Sequence, residues 1–192
     1  MHEVKLADNI YYLGYNDRRT HLFENLWPLP YGVSYNSYLV DDEKVALIDT
    51  VERQYIDDYL NEVDEILKGR QVDYLVINHM EPDHSGALRA VVDRYPAVTL
   101  VGNKKTFGFV ESFYLKPVHT LEVHDGSFLD LGRTRFQFQT VPMVHWPETM
   151  VTYDETHQIL FSGDAFGSFG TLDGGIFDDE INLAFYEEEI FT

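Results

Sequence analysis

The run Val72–Ile77, VDYLVI, limits the folds open to this chain more than any other segment. It has strand length and is apolar on both faces, so it predicts a strand covered from both sides. A helix is predicted before it, from Glu52 to Lys68, with Ile56, Tyr59, Leu60, Val63, Ile66 and Leu67 at a 3.6-residue period and Gly69 placed as the stop. Upstream, Ile10–Tyr15, Tyr35–Val40 and Val45–Asp49 read as strands, with a turn at Asp41-Asp42-Glu43-Lys44. Downstream, Ser85 is expected to N-cap a helix reaching Tyr95, followed by a strand Val98–Val101 and a helix Lys104–Tyr114. Thr134–Val141 alternates, with Phe136, Phe138 and Thr140 on one side and Arg135, Gln137 and Gln139 on the other, as a half-buried strand does. Thr149–Tyr153 and Gln158–Ser162 predict a hairpin, Gly163–Gly175 a loop, and Asp178–Thr192 the start of a helix. The order is β-rich, then βαβα, then β-rich, which predicts a layered α/β structure of sheets covered by helices. With 192 residues, no internal repeat and no linker, one domain is expected.

Directly after the doubly buried run stands Asn78-His79-Met80-Glu81-Pro82-Asp83-His84-Ser85-Gly86. Its H-x-E-x-D-H pattern places His79, Glu81, Asp83 and His84 within six residues. In an extended or turning loop the first three alternate with Met80 and Pro82 and converge on one side. His145, in Pro142-Met143-Val144-His145-Trp146-Pro147, and Asp164, in Phe161-Ser162-Gly163-Asp164-Ala165-Phe166, end later strands. Taken singly, Asp164 fits an ordinary turn as well as a ligand, and His145 fits a packed core histidine. Together the six exceed what one tetrahedral zinc needs. They suit two metals sharing a carboxylate, with positions open to substrate. Without thiolates and with three carboxylates, the set favours iron or manganese over copper or structural zinc. The other histidines are expected outside the set: His2 and His157 at the surface, and His21, His119 and His124 in structural roles.

Composition removes other chemistries. The absence of Cys excludes disulfides, thiolate metal sites and a Cys nucleophile. No G-x-S-x-G elbow, G-x-G-x-x-G or G-x-x-x-x-G-K-[ST] loop is present. A net charge of -19 argues against nucleic acid and anionic membranes as partners. The charge is uneven: residues 1–135 hold 22 acidic and all 14 basic residues, whereas residues 136–192 hold 11 acidic and none basic. No apolar stretch is long enough to span a membrane. MHEVKLADN lacks the layout of a signal peptide, so a cytoplasmic protein is expected.

The residues carry a resemblance. Gly32-Val33-Ser34-Tyr35-Asn36-Ser37-Tyr38-Leu39, Leu47-Ile48-Asp49-Thr50-Val51, the His79–Gly86 cluster, His145-Trp146-Pro147-Glu148-Thr149-Met150 and Ser162-Gly163-Asp164-Ala165-Phe166-Gly167 resemble the N-terminal part of flavodiiron proteins over essentially all 192 residues. The implied fold is a metallo-β-lactamase-like αββα sandwich. The wider superfamily has H-x-H-x-D-H and is mostly zinc-dependent and hydrolytic; Glu81 in place of the second His resembles the di-iron branch. The resemblance implies one iron at His79, Glu81 and His145, a second at Asp83 and His84, and Asp164 bridging both. It further implies reduction of O2 to water or NO to N2O, and electrons from FMN in a C-terminal flavodoxin-like domain. A donor such as rubredoxin or a flavin reductase would supply that FMN. In the family's head-to-tail homodimer, Glu81 and Trp146 would lie toward the partner's flavin.

Two departures stand out. The family's last iron ligand is a His later in the same domain, and no His follows Asp164 here. No flavodoxin-like domain is present either. The chain is therefore expected to be a C-terminally incomplete domain spanning residues 1–192, with Asp178-Asp179-Glu180 and Glu187-Glu188-Glu189 as the acidic first turns of an interrupted helix. A binuclear zinc hydrolase and a non-enzymatic di-iron gas sensor are the competing functional expectations.

Overall fold

The computed structural model describes residues 4–172, 175–177 and 179–180. The Val72–Ile77 run supplies a strand, Tyr74–Val76, inside a seven-stranded sheet. The sheet order is Val4–Ala7, Ile10–Tyr12, Tyr38–Asp41, Val45–Ile48, Tyr74–Val76, Thr99–Gly102 and Thr120–Glu122. The first four strands pair antiparallel. From Val45–Ile48 onward the pairing is parallel, with Leu47 opposite Leu75 and Ile48 opposite Val76. Parallel neighbours require a crossover, and the helix Ile56–Leu67 provides it.

Alternation along these strands separates two cores. Val45, Leu47, Leu75 and Ile77 face a helical layer in which Ile56–Leu67 contributes Tyr59, Leu60, Val63, Ile66 and Leu67. Leu88 and Val91 of the helix Leu88–Arg94, and Val110 of Lys104–Phe113, belong to the same core. Ala46, Ile48, Val76 and Val101 face the other way, against a second sheet. That sheet is an antiparallel meander of Phe128–Asp130, Arg135–Thr140, Met150–Asp154 and Ile159–Phe161. Phe136 and Phe138 point inward and are fully buried, while Arg135 and Gln139 point out, as their alternation requires. The described layers are thus helix, sheet, sheet. Apart from a turn at Asp179–Glu180, the helix expected over Asp178–Thr192 lies outside the described residues. Among the described residues no helix is long and apolar enough to cross a membrane.

Three local expectations are corrected. Ile10–Tyr15 and Tyr35–Val40 are not continuous strands. Both segments leave the large sheet together where the Leu13 N–H donates to Ser37 O, 2.8 Å away, and Tyr15–Asp17 then pairs with Val33–Tyr35 as a separate ribbon. Buried Ser37 fixes the break by donating from Oγ to Asp49 O, 3.0 Å away. Ser85 does not cap a long helix. It ends the short helical turn Pro82–Ser85, where its Oγ donates to Met80 O and Glu81 O, 2.8 and 2.9 Å away. Proline at the first helical position starts that turn, since its fixed φ suits the site and its missing N–H has no partner to lose. Gly86 follows because a Cβ there would meet Pro82 O at 2.6 Å and Val51 O at 2.8 Å. Finally, His157 is only about one-quarter exposed, its Nδ1 lying 2.6 Å from buried Asp154 Oδ2. His2 lies outside the described residues.

Candidate metal centre

The parallel strands converge on the cluster at their C-terminal ends, where open α/β sheets bind ligands. Tyr74–Val76 runs into Asn78 and His79, His79-Met80-Glu81 follows as a loop, and the turn Pro82–Ser85 presents Asp83 and His84. The second sheet contributes from the opposite side. His145 stands in the loop joining Arg135–Thr140 to Met150–Asp154, and Asp164 in the turn after Ile159–Phe161.

All six side chains come together, in two groups. His79, Glu81, His145 and Asp164 place one ligand atom each within 4.8 Å of one another, and so do Asp83, His84 and Asp164. In the first group, Glu81 Oε2 is 3.2 Å from His79 Nε2 and 2.7 Å from His145 Nε2, and the two ring nitrogens are 3.4 Å apart. Asp164 belongs to both groups. Its Oδ2 lies 3.5 Å from His79 Nε2 and 3.4 Å from His145 Nε2, while its Oδ1 lies 2.7 Å from His84 Nε2. Asp83 Oδ2 stands 3.6 Å from the same His84 nitrogen. Asp164 is also an ordinary turn residue, its carbonyl accepting from the Gly167 N–H. His145 is not a core histidine, because its ring is 55% exposed. His21, His119 and His124 are exposed and stand apart from both groups.

The electrostatics are those of a site that demands cations. Burial opposes charge on His79, yet the carboxylates of Glu148 and Glu81 outweigh it and hold its pKa up at about 9. Burial likewise opposes charge on His84, but Asp83 and Asp164 raise its pKa well above the ordinary value. Burial would raise Glu81 and Asp164; histidine contacts, from His79 for Glu81 and from His84 for Asp164, hold both below the usual carboxylate range. Asp83 is pushed up to about 6 by burial, against the pull of His84. A metal would neutralise these carboxylates directly, and the imidazoles bind a metal in their neutral form.

A second ring of carboxylates, not included in the expected set, orients the first. Buried Glu148 places Oε1 2.9 Å from His79 Nδ1 and accepts from the Met80 N–H with the same atom. Buried Asp49 accepts from the Asn78 and His79 N–H groups through Oδ1, and its Oδ2 stands 3.4 Å from His84 Nδ1. Both follow signals legible in sequence, an acid ending the apolar run Val45–Ile48 and an acid three residues after His145, but a lone acid at such places reads as a turn. Trp146 is half-buried, its ring edge-on to His79 at 5.4 Å and to Phe109 at 6.0 Å. Asp83 Oδ1 and His84 Nδ1 are buried without a hydrogen-bond partner. A set of three imidazoles and three carboxylates, with buried polar atoms left unpaired, fits two cations of the iron or manganese type. A cleft of about 620 Å³ opens beside Asp83, lined also by Pro82, Tyr35, Gln54, Leu22 and Phe23.

Known proteins place this geometry in context. The model of the ODP family beta lactamase matches residues 33–187. Among curated relatives, "Diflavin flavoprotein A 1" of Synechocystis is 36% identical over 160 residues, 83% of this chain and 28% of its own length. The "Anaerobic nitric oxide reductase flavorubredoxin" of Vibrio vulnificus is 32% identical over 184 residues, 94% of this chain and 37% of its own length. Among solved structures, the rubredoxin oxygen:oxidoreductase of Desulfovibrio gigas superposes with a TM-score of 0.90 at 31% identity, covering 98% of this chain and 47% of that one. The flavodiiron protein of Giardia intestinalis gives 0.88 at 28% identity, covering 96% and 45%. The chain thus spans about a third or less of the first curated relatives it matches. The αββα sandwich read from the resemblance is the fold of these structures, and the chain belongs to the ODP family of beta lactamases, sharing this domain with the flavodiiron proteins.

Proposed function

We propose that residues 1–192 form the di-iron domain of an oxidoreductase that reduces O2 to water, NO to N2O, or both. The observation that carries this reading is Asp164, whose two oxygens face two separate groups of ligand atoms. His79, Glu81 and His145 would hold one iron, Asp83 and His84 the other, and Asp164 would join them. Two irons so held would bind a diatomic gas and relay to it the electrons that the flavin provides, four for O2 to water and two for a pair of NO to N2O. The chain's own part is placement and exclusion. Glu81 and Asp164 bring anionic oxygen, which favours iron over softer metals. Trp146 packs edge-on against His79, with Phe109 behind it. The cleft beside Asp83 leaves room for a small ligand.

The names of the relatives support the remaining assignments. One is called a nitric oxide reductase flavorubredoxin, one a rubredoxin oxygen:oxidoreductase and one a diflavin flavoprotein. FMN on a flavodoxin-like domain would be the immediate electron source, with rubredoxin or a flavin reductase behind it. In a head-to-tail homodimer, Glu81 and Trp146 would face the partner's flavin. Met143, Val144 and Phe166 flank His145 and Asp164 in sequence and are exposed, which suits a surface that another subunit covers. The reading includes a cytoplasmic location and neither nucleic acid nor membrane as partner.

The test is metal analysis together with anaerobic gas consumption, using the protein with its flavodoxin-like domain and a reduced donor. Two irons per subunit and consumption of O2 or NO are expected. Zinc in place of iron, with ester or thioester cleavage and no gas consumed, contradicts the proposal. Reversible gas binding without turnover contradicts it too.

A further inference from the structure

The two groups of ligand atoms differ in what stands behind their histidines. Glu148 Oε1 lies 2.9 Å from His79 Nδ1, and the same oxygen accepts the Met80 N–H at 3.0 Å. Neither side chain is exposed. Glu148 is itself tied down. Its carbonyl accepts from Asn103 Nδ2, and Asn103 caps the helix Lys104–Phe113 through the N–H groups of Lys105 and Thr106. Thr149 adds a hydroxyl 3.4 Å from the same ring nitrogen. Behind His84 the arrangement is looser. Asp49 Oδ2 stands 3.4 Å from His84 Nδ1 without hydrogen-bond geometry, and that nitrogen has no hydrogen-bond partner.

We infer that Glu148 is a positioning residue that makes the His79–Glu81–His145 position the tighter of two metal positions. The inference rests on the di-iron reading above. A carboxylate on Nδ1 keeps the proton of neutral imidazole on that atom, leaving the Nε2 lone pair aimed at Glu81 and His145. It also makes the ring a stronger donor to a cation. On His84 the corresponding carboxylate, Asp49, stands farther off at 3.4 Å, so it holds the tautomer and ring angle less tightly. Among the six clustered side chains Glu148 touches only His79, and its other contact here, the Met80 N–H, lies between His79 and Glu81, so its effect falls mainly on the position these two share. Its second oxygen, Oε2, is buried with no hydrogen-bond partner. All the hydrogen bonding of its carboxylate therefore runs through Oε1, to the His79 ring and the Met80 N–H.

The experiment compares the wild-type chain, Glu148→Ala and Glu148→Gln by anaerobic titration with ferrous ion against a competing chelator. Far-UV circular dichroism of the metal-free proteins checks folding, and the iron reduction potential of each loaded protein is recorded. In Glu148→Ala the tighter ferrous constant should weaken by about 10–100-fold while any weaker one stays nearly unchanged. Glu148→Gln keeps an oxygen for the Nδ1–H but loses the charge. It should therefore regain most of the affinity while its potential moves to a more positive value, since a lost negative charge disfavours the ferric state. A folded Glu148→Ala that binds iron as the wild type does overturns the inference, and so does Glu148→Gln with an unshifted potential. Should the alanine variant fail to fold, the potential of the glutamine variant decides. No iron uptake by the wild type would contradict the di-iron reading itself; uptake indifferent to Glu148 contradicts this inference alone.

Discussion

Each oxygen of Asp164 faces different nitrogens, Oδ1 toward His84 and Oδ2 toward His79 and His145. One side chain therefore serves both halves of the cluster, and Asp164→Ala should lower iron content to one or fewer per subunit. Elemental analysis reads this directly, and an unchanged content would show that Asp164 does not join the two positions. His124 is a counter-example: its ring is 73% exposed and belongs to neither group. His124→Ala should leave the iron content as it was. The six clustered residues were legible in sequence because four of them crowd into one loop, and that density makes the more distant His145 and Asp164 meaningful. Glu148 and Asp49 were not legible as members. What marks them is a hydrogen bond to a ring nitrogen or to the loop's N–H groups, and such contacts are made through space.

At the scale of elements, periodicity was the reliable guide. The helix Ile56–Leu67 and the strand Arg135–Thr140 lie where their apolar spacing put them. Breaks in pairing were harder to read. Tyr35 and Tyr38 belong to different sheets, although their residues form one strand-like run; between them Ser37 is buried, with its hydroxyl bonded to Asp49 O and Tyr59. The turn of Pro82–Ser85 was likewise hidden, since Pro82 and Gly86 read equally well as loop residues. Contacts between elements carry their own expectation. Asp42 accepts the N–H groups of Glu43, Arg133 and Thr134, tying a turn of the first sheet to the entry of Arg135–Thr140. Its loss would leave the buried Thr134 N–H unpaired, at about 1–3 kcal/mol, and would also remove the part-buried contacts of Glu43 and Arg133. Asp42→Ala should lower the urea unfolding free energy by at least about 2 kcal/mol, and a change below the error of that measurement would show that water replaces the carboxylate freely.

Over the whole molecule, the charge of -19 has distinct parts with distinct consequences. Glu81, Asp83 and Asp164 are gathered where cations would neutralise them. Asp17 and Asp42 are buried acids of another kind. Burial works against their ionisation, but hydrogen bonds, from Thr20 and the backbone N–H groups of Arg19 and Thr20 to Asp17, and from Thr134 and neighbouring backbone to Asp42, lower each pKa from 3.8 to about 2. A folded pKa below the unfolded one gives stability that is present above the unfolded value and lost as pH falls through the folded one. Relief of self-repulsion on acidification acts in the opposite direction. The clean comparison is therefore wild type against Asp42→Ala. The stability gap between them should narrow as pH falls from about 6 to about 2; a gap that stays constant would mean that Asp42 is not held ionised by its partners. The layer order and the position of the site were legible from the order of strands and helices, because helix crossovers force parallel strands and parallel strands place their loops at one end. The helix-sheet-sheet arrangement then brings His145 and Asp164 from the second sheet to the loop after Tyr74–Val76 of the first.

The central claim is that two irons share Asp164. Mössbauer and electron paramagnetic resonance spectra of the iron-loaded, oxidised protein test it most directly. A carboxylate-bridged pair of ferric ions is spin-coupled, so a Mössbauer signal for two irons per subunit is expected with no matching paramagnetic signal, and Asp164→Ala should abolish the coupling. Independent mononuclear ferric signals accounting for all the iron in the wild-type protein would contradict the account.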